Sequence, residues 1–216
     1  MENNLGTHDV TFIYNNEFNP DAITPESISN LKIIGGLGAI FAAGTIIPYL
    51  GALLGIASIV LLLIAFYRIS KMSGIKSIFS NICYAYIITF VLTVGIMIFI
   101  FISLFDFFSN MSQNNYLYDN DFAESFFYDI KENLLAYVIG ISLFFYLITI
   151  LYAYLWKLSL DKTAVFFNAE GFKTAGLLYM IGAPAIILCG LGVLVTLAAH
   201  IVLAIAFFNL QPRKSA

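Results

Sequence analysis

The chain has 216 residues and a formal net charge of -3, with 61% apolar, 16% aromatic and only 11% charged residues. Soluble domains carry about 25% charged residues, so this chain has too few charges to cover a surface in water. Most of its apolar surface must therefore face lipid. The composition excludes an ordinary soluble protein and predicts an all-α, polytopic membrane helix bundle.

The first 30 residues are polar and contain five acidic residues and no Lys or Arg. A cleavable signal peptide begins with a basic stretch followed by an apolar one, so we predict instead a polar cytoplasmic tail over 1–30. The order Thr24, Pro25, Glu26 is typical of a helix start, with a capping oxygen, a proline and an acid in the first turn. The first transmembrane helix is therefore expected to begin as a short polar stem.

A membrane domain is predicted over 31–210. Its first 39 residues, 31–69, are almost entirely apolar, and this is too long for one crossing because about 20 helical residues already span the hydrocarbon core. Pro48 and Gly51 lie near the middle, where Pro ends a helix and Gly permits a reversal. The segment is therefore predicted to form a hairpin of two short spans, 31–48 and 51–69.

The remaining predicted spans are 82–105, 134–156, 174–189 and 192–208. The last two repeat the hairpin, with a turn near Gly190, and are followed by a short tail, 211–216. The connection 106–132 mixes six acids with aromatic residues, a composition that suits the membrane-water interface. Six transmembrane helices are thus predicted, with one long acidic loop.

Basic residues indicate the orientation of the predicted spans. With six crossings both termini lie on one side, and nine of the ten basic residues fall on that side, whereas only Lys131 lies opposite. The positive-inside rule predicts a multi-pass cell-membrane protein with both termini in the cytoplasm and the acidic loop outside. The nine residues are Lys32, Arg68, Lys71, Lys76, Lys157, Lys162, Lys173, Arg213 and Lys214.

The two hairpins are similar in sequence. Shifting the chain by 141 residues aligns 31–69 with 172–210 without a gap, and 14 of 39 positions are identical. The matches include a leading Lys, the turn Gly at 51 and 192, and the Ile-Ala-Phe that ends each run. We interpret the pattern as an internal duplication, with both hairpins in the same orientation.

Small residues recur in the first hairpin. Gly35, Gly36 and Gly38 lie in its first span, and Gly51 and Gly55 have GxxxG spacing in the second. Small residues let helices approach closely in lipid. The pattern predicts helix packing within the chain, and the alternatives are a homodimer interface or a flexible gate.

No Asp, Glu, Lys or Arg lies near the middle of any predicted span, although buried charges usually mark proton relays and ion-coupled transport. His200, in the last span, is the exception, and we expect a neutral imidazole hydrogen-bonded to a neighbouring helix. A catalytic role for His200 would require partners, and the candidates were Tyr49, Tyr84, Tyr86 and Ser58.

Other chemical patterns are weak. Cys83 and Cys189 have no Cys or His at metal-ligand spacing, and Asp119, Asp121 and Glu124 lack the glycine and distal glutamate of an EF-hand. Asn110 begins an N-glycosylation sequon on the side predicted to be external. No catalytic, cofactor-binding or metal-binding residue is predicted, and no basic patch suggests nucleic acid.

Several segments together resemble domain-of-unknown-function family 996, small polytopic membrane proteins that are mostly archaeal. The segments are Ile34-Gly35-Gly36-Leu37-Gly38, Leu63–Ser70, Lys76–Asn81, Phe172–Tyr179 and Ala204–Phe208. The resemblance covers about 31–210. It implies a polytopic helical fold but no activity, and it transfers no functional residue.

Three hypotheses of function follow from these patterns. The first is a non-enzymatic structural or partner-binding bundle in the lipid bilayer, acting as a homo-oligomer or with another membrane protein. The second is a small-solute or ion transporter or channel, suggested by the parallel hairpins. An intramembrane enzyme is third, because it would need at least two polar side chains near His200.

Overall fold

The structure, a computed structural model, describes residues 24–113, 122–186 and 190–211. Within these ranges it has no strand, and its six α-helices confirm the predicted all-α class. The helices are α1 (Pro25–Ala43), α2 (Gly51–Ser73), α3 (Lys76–Gln113), α4 (Phe122–Phe167), α5 (Glu170–Ala185) and α6 (Leu191–Phe208), and a 3₁₀ turn, Gly44–Ile46, follows α1.

Five of these helices are long and apolar enough to cross a membrane. Helix α5 has only 16 residues, which is about 24 Å at 1.5 Å per residue and less than the roughly 30 Å hydrocarbon core. The set is compatible with a multi-pass membrane protein.

The predicted helix start is confirmed. Thr24 caps α1, with its Oγ1 accepting a hydrogen bond from the Ser27 amide at 3.1 Å, and the Ser27 Oγ accepts one from the Thr24 amide at 3.0 Å. The two bonds form a reciprocal capping box, which satisfies amides that have no partner within the helix. Helix α1 therefore begins at Pro25, ahead of the apolar run.

The first hairpin turns where the sequence predicts, but for a different reason. The residue with the left-handed backbone is Tyr49, with φ 66°, not Gly51. A Cβ on Gly51 would lie 2.2 Å from the Thr45 carbonyl oxygen, so Gly51 is needed for close approach of the two chain segments rather than for the reversal itself.

The second hairpin repeats this turn. Gly190 has φ 81° and occupies the position equivalent to Tyr49 in the 141-residue alignment. A Cβ on Gly192, the counterpart of Gly51, would lie 2.4 Å from both the Gly182 carbonyl oxygen and the Ile186 amide nitrogen. Ile186 is itself the counterpart of Thr45. The two turns therefore match in backbone and packing, as an internal duplication requires.

The prediction of a loop over 106–132 was wrong in its boundaries. Helix α3 continues to Gln113 and α4 begins at Phe122; residues 114–121 lie outside the described part. Neither 106–113 nor 122–132 contains Pro or Gly. A helix satisfies its own backbone hydrogen bonds, so the change from apolar to acidic composition does not end it.

The predicted connection 159–173 was also too long, because α4 runs to Phe167 and α5 begins at Glu170. Asn168 has φ 51°, and the Ala169 amide donates to the Ala164 carbonyl at 3.0 Å. This is a Schellman-type helix end, with Asn in the left-handed position that is usually occupied by Gly. Similarly, α2 extends past the predicted end at 69 and stops before Gly74, whose φ is 69°.

The packing places the two hairpins beside each other. Helix α1 packs against α2 and α6, α5 packs against α6 and α4, and α3 packs against α4 and α2. Seven described basic residues lie together at one end of the bundle, which we call the basic end: Lys32, Arg68, Lys71, Lys76, Lys157, Lys162 and Lys173. The side that carries the acidic segment 106–132 is called the acidic side.

The core lies toward the basic end. Among the described side chains of α3, the buried ones are Ile78, Ile82 and Ala85, all within its first ten residues. Farther along α3, large apolar side chains such as Phe90, Met97 and Phe101 are exposed. The six helices therefore pack as one unit near the basic end, and α3 and α4 extend beyond it.

Candidate functional site

The centre of the bundle is an aromatic cluster around Trp156, a side chain that is only 1% exposed. Its ring centroid lies 5.6 Å from Phe66, 6.0 Å from Tyr86 and 5.3 Å from Tyr179. Tyr152 lies one helical turn away on α4, at 6.0 Å. Trp156 thus contacts rings from α2, α3 and α5 and closes the space among these helices and α4.

The spacing of residues on α4 explains why the cluster forms there. Ala153, Trp156, Leu160 and Ala164 are all buried, and steps of three and four residues place them on one face of a helix. Small residues on either side of Trp156 leave room for the indole. This face carries the contacts of α4 with the rest of the bundle.

The second part of the cluster is the pair Tyr179 and His200, which joins α5 to α6. Their rings meet edge to face with centroids 5.2 Å apart. The His200 Nδ1 lies 2.8 Å from the Thr196 carbonyl oxygen. A carbonyl only accepts, so Nδ1 carries the proton and Nε2 is left as an acceptor in the neutral ring. The imidazole is therefore bonded within its own helix, not to a neighbouring one as predicted.

The residues proposed from sequence as partners of His200 do not converge on it. Tyr49 is fully exposed at the hairpin turn, and Tyr84 is 57% exposed. Ser58 is buried in α2, and Tyr86 contacts Trp156 and Tyr152.

Tyr179, which the sequence reasoning missed, is the residue that contacts His200. The duplication held a signal for this pair. Tyr179 and His200 align with Gly38 and Ile59 of the first hairpin, so the second hairpin has two polar rings where the first has none.

Two polar atoms of the cluster lack hydrogen-bond partners in the described part of the chain, Trp156 Nε1 and Tyr179 Oη, and both are buried. Leaving a buried donor unpaired costs about 1–3 kcal/mol. The described residues include no group of three or more His, Cys, Asp or Glu side chains placed to hold a metal ion. The cluster therefore offers aromatic surface and two unused donors.

Polar contacts at the basic end set the register of α4 against α3. The Ser159 Oγ, fully buried, donates to the Ile78 carbonyl at 2.8 Å, and the Lys162 Nζ donates to the Ser77 Oγ at 2.7 Å. Lys157 also forms an ion pair with Asp161 one turn along α4. These bonds prevent α3 and α4 from sliding relative to each other.

The predicted packing role of the glycines is observed for the first span. A Cβ on Gly35 would lie 2.3 Å from the Phe207 ring, and one on Gly36 would lie 2.4 Å from Phe208, so both glycines admit side chains of α6. Gly38 admits Leu62 of α2 in the same way. Gly35, Gly36 and Gly38 are thus used for helix contacts within the chain.

An open groove of about 790 Å³ lies at the end of the bundle where α4, α5 and α6 meet. Its walls combine apolar side chains, such as Val202 and Ile205, with polar ones, Asn168, Glu170 and Asn209. The polar side chains are exposed.

The other residues singled out from sequence can be placed only in part. Cys83 is a free, half-buried thiol on α3, whereas Cys189 lies outside the described residues. Asp119 and Asp121 also lie outside them. Asn110 and Glu124 belong to α3 and α4, but their side chains are not among those described.

Comparison with known proteins agrees with this architecture. The family described as Protein of unknown function (DUF996) matches residues 54–201, which covers more than half of the chain. The chain therefore belongs to this family, as its sequence resemblance predicted.

A relative at the level of the whole chain is an uncharacterised protein of Methanocaldococcus jannaschii. It is 27% identical over 187 residues, which cover 85% of this chain and 93% of the relative. No solved structure matches the chain.

Proposed function

We propose that this protein is a non-enzymatic membrane scaffold that binds a partner through the acidic ends of α3 and α4. In this proposal the protein lies in the cell membrane with both termini in the cytoplasm. The observation that carries it is the closed aromatic core around Trp156. A bundle filled at its centre with Trp, Phe and Tyr rings is suited to holding helices in fixed positions.

The contacts of Trp156 support a static role. Its ring meets Phe66 and Tyr179 from opposite hairpins, so moving one hairpin relative to the other would separate packed aromatic surfaces. Opening a gate at this point would expose the unpaired Trp156 Nε1 and break several edge-to-face contacts. Each such contact contributes about 0.5–1.5 kcal/mol beyond burial.

The lengths of α3 and α4 support a role in presentation. They have 38 and 46 residues, against 23 or fewer for the other helices. The extra turns extend on the acidic side and carry Asp106, Glu124, Asp129 and Glu132 in their sequence. A partner with a basic surface would complement these acids.

A transporter is the second candidate, and the matched hairpins favour it because parallel repeats are common in transporters. The two proposals differ in what they require of the core. A scaffold leaves small ions and solutes on their own side of the bilayer, whereas a transporter must open a path beside Trp156.

Flux through proteoliposomes separates these two functions. The purified chain would be reconstituted into sealed vesicles, and efflux of trapped K⁺, Cl⁻ and glycerol would be measured. The scaffold proposal expects the rates of empty vesicles. It also expects that Trp156→Ala, which empties the centre of the core, raises the leak. Solute-specific flux by the unmodified protein would overturn the proposal.

Partner binding is tested by chemical cross-linking in native membranes. We expect a discrete cross-linked complex that weakens when Asp119→Asn, Asp121→Asn and Glu124→Gln are combined. The matched control is Glu26→Gln with Glu170→Gln, which removes acids at the basic end instead. A chain that remains monomeric, or a complex that depends equally on both sets of acids, would refute the proposed binding surface.

A further inference from the structure

The molecule has two different hydrophobic lengths. In the first hairpin, α2 rises from Gly51 to Arg68, which is about 26 Å at 1.5 Å per residue. The second hairpin is equally short, because α6 spans only Leu191–Phe208. In α3, by contrast, residues 77–105 carry no charge, and this stretch is about 43 Å long. The uncharged stretch 133–156 of α4 is about 35 Å long.

The shortfall of the hairpins falls on the acidic side. Contacts near the basic end fix the hairpins and the long helices in register, including Phe66 with Trp156 and Ser159 with Ile78. The hairpins therefore cannot slide outward along α3 and α4. Their turns end about 10 Å short of the point that the long helices reach, by the same rise per residue.

The turn of the first hairpin does not suit a hydrocarbon environment. Tyr49 is 100% exposed, and Ile46, Ile47 and Leu50 around it are about half exposed. Backbone that leaves the helical pattern is not tolerated where it faces lipid chains, and Tyr prefers the level of the headgroups. The segment 46–50, here called the tip, has the composition of an interfacial turn but ends at too low a level.

We infer that the two hairpins hold the bilayer locally thin, so that lipid headgroups on the acidic side descend to the tip. A short hydrophobic stretch is commonly accommodated by thinning of the surrounding bilayer. The bilayer around α3 keeps its ordinary thickness, so the membrane surface slopes across the protein. The occupant of the exposed tip is thus lipid headgroup and water. The inference does not depend on the proposed partner.

The test compares two positions at one height. Tyr49 lies on the tip, and Met97 lies about 24 Å along α3 from Asn81, the last polar residue before the apolar run. Met97 is 67% exposed, so both side chains contact the surroundings of the bundle. They differ only in whether a hairpin or α3 sets the local membrane thickness.

The experiment uses single cysteines at these positions in a chain carrying Cys83→Ala and Cys189→Ala. Tyr49→Cys and Met97→Cys are reconstituted into vesicles of 18-carbon phosphatidylcholine, with a membrane-impermeant maleimide present on both sides. A thiol in hydrocarbon stays protonated and unreactive, so we expect Tyr49→Cys to be labelled at least about tenfold faster than Met97→Cys. Ile47→Cys is a second tip position.

Each other outcome overturns the inference. Equal protection of both positions would show that the tip is covered by lipid chains. Protection of Tyr49→Cys in crowded vesicles, but labelling at one chain per vesicle, would show a second copy covering it. Equal labelling of both would show that the membrane is thin around the whole protein. Fluorescence of the single Trp confirms folding of each variant before labelling.

Discussion

Phe66 and Phe207 occupy equivalent positions in the two hairpins, and their rings meet edge to face with centroids 5.8 Å apart. Both side chains are fully buried. Contact between equivalent residues is the mark of a two-fold arrangement, in which the same surface is used from both sides. The hairpins are therefore joined near their pseudo-axis by one residue from each copy.

The arrangement departs from two-fold symmetry on either side of this contact. Helix α1 packs on α6, with Gly35 against Phe207. The equivalent glycine of the second hairpin, Gly176, instead packs against Lys157 and Leu160 of α4. Helix α4 lies between α2 and α5 and brings Trp156 into the core. The aromatic cluster is thus built where the symmetry is broken.

The first prediction concerns the glycines at the hairpin turns. Gly51→Ala and Gly192→Ala should each destabilise the fold by about 1–3 kcal/mol, since the new Cβ would overlap backbone atoms that cannot move independently. The measurement is reversible unfolding in mixed detergent micelles, followed by Trp fluorescence.

Gly55→Ala is the matched control for these turn variants. Its Cβ would meet only the Thr45 Cγ2, at an ordinary 3.5 Å, and Ala is favoured over Gly in a helix by up to about 1 kcal/mol. Equal stability of Gly51→Ala and Gly55→Ala would contradict the close approach at the turn.

The second prediction compares Gly35 with its neighbour. Gly35→Ala should be more destabilising than Gly36→Ala, because the ring that it meets, Phe207, is fully buried, whereas Phe208 is 43% exposed and can turn aside. We expect about 1–3 kcal/mol for the first variant and less than about 1 kcal/mol for the second.

A double-mutant cycle identifies the clash as the cause. Phe207→Leu should offset part of the cost of Gly35→Ala, with a coupling energy of about 0.5 kcal/mol or more. Strictly additive effects of these two substitutions would show that Gly35 and Phe207 do not interact as described.

The third prediction concerns Trp156, the only tryptophan in the chain. Its fluorescence should be insensitive to acrylamide and to brominated lipids in the folded protein, because the ring is buried among protein groups rather than exposed to either solvent. Phe66→Ala removes a ring 5.6 Å away, and should both increase quenching and cost about 3–5 kcal/mol of stability. Strong quenching of the unmodified protein would place the indole at the lipid surface instead.

The fourth prediction concerns the hydrogen bond from Ser159 to Ile78, which links α4 to α3. Ser159→Ala should cost about 0.5–1.5 kcal/mol, because it removes a buried bond between helices. Thr149→Val is the comparison, since the Thr149 hydroxyl bonds only to the Phe145 carbonyl of its own helix. Unfolding of both variants in mixed micelles measures the difference, and a larger effect of Thr149→Val would argue against the inter-helix role.

Much of the architecture was predictable because lipid imposes simple rules. Apolar length gave the helices, and the Thr24 cap and the turn near Pro48 were found from local chemistry. The ends of α3 and α4 were not found, because the prediction ended helices where polarity changed. In the structure, helices end at residues that adopt a left-handed backbone, such as Gly74 and Asn168.

The aromatic cluster was less accessible to sequence reasoning. Trp156 was predicted to lie at the membrane interface, a common position for tryptophan, but it is buried by rings from three other helices. Which rings meet depends on the rotation of each helix about its axis. That rotation is set by packing between segments distant in the sequence, so neither Tyr179 nor its contact with His200 followed from spacing alone.

The turn at Tyr49 also bears on how the chain enters the membrane during synthesis. Residues 33–67 carry no charge, so nothing in this stretch holds the turn in water while α2 is still inside the ribosome. Because α1 presents Gly35, Gly36 and Gly38 as a surface that other helices must fill, it gains little from remaining alone in lipid. We therefore expect α1 and α2 to leave the translocation channel as a pre-assembled pair, and α5 and α6 to repeat that step later in translation.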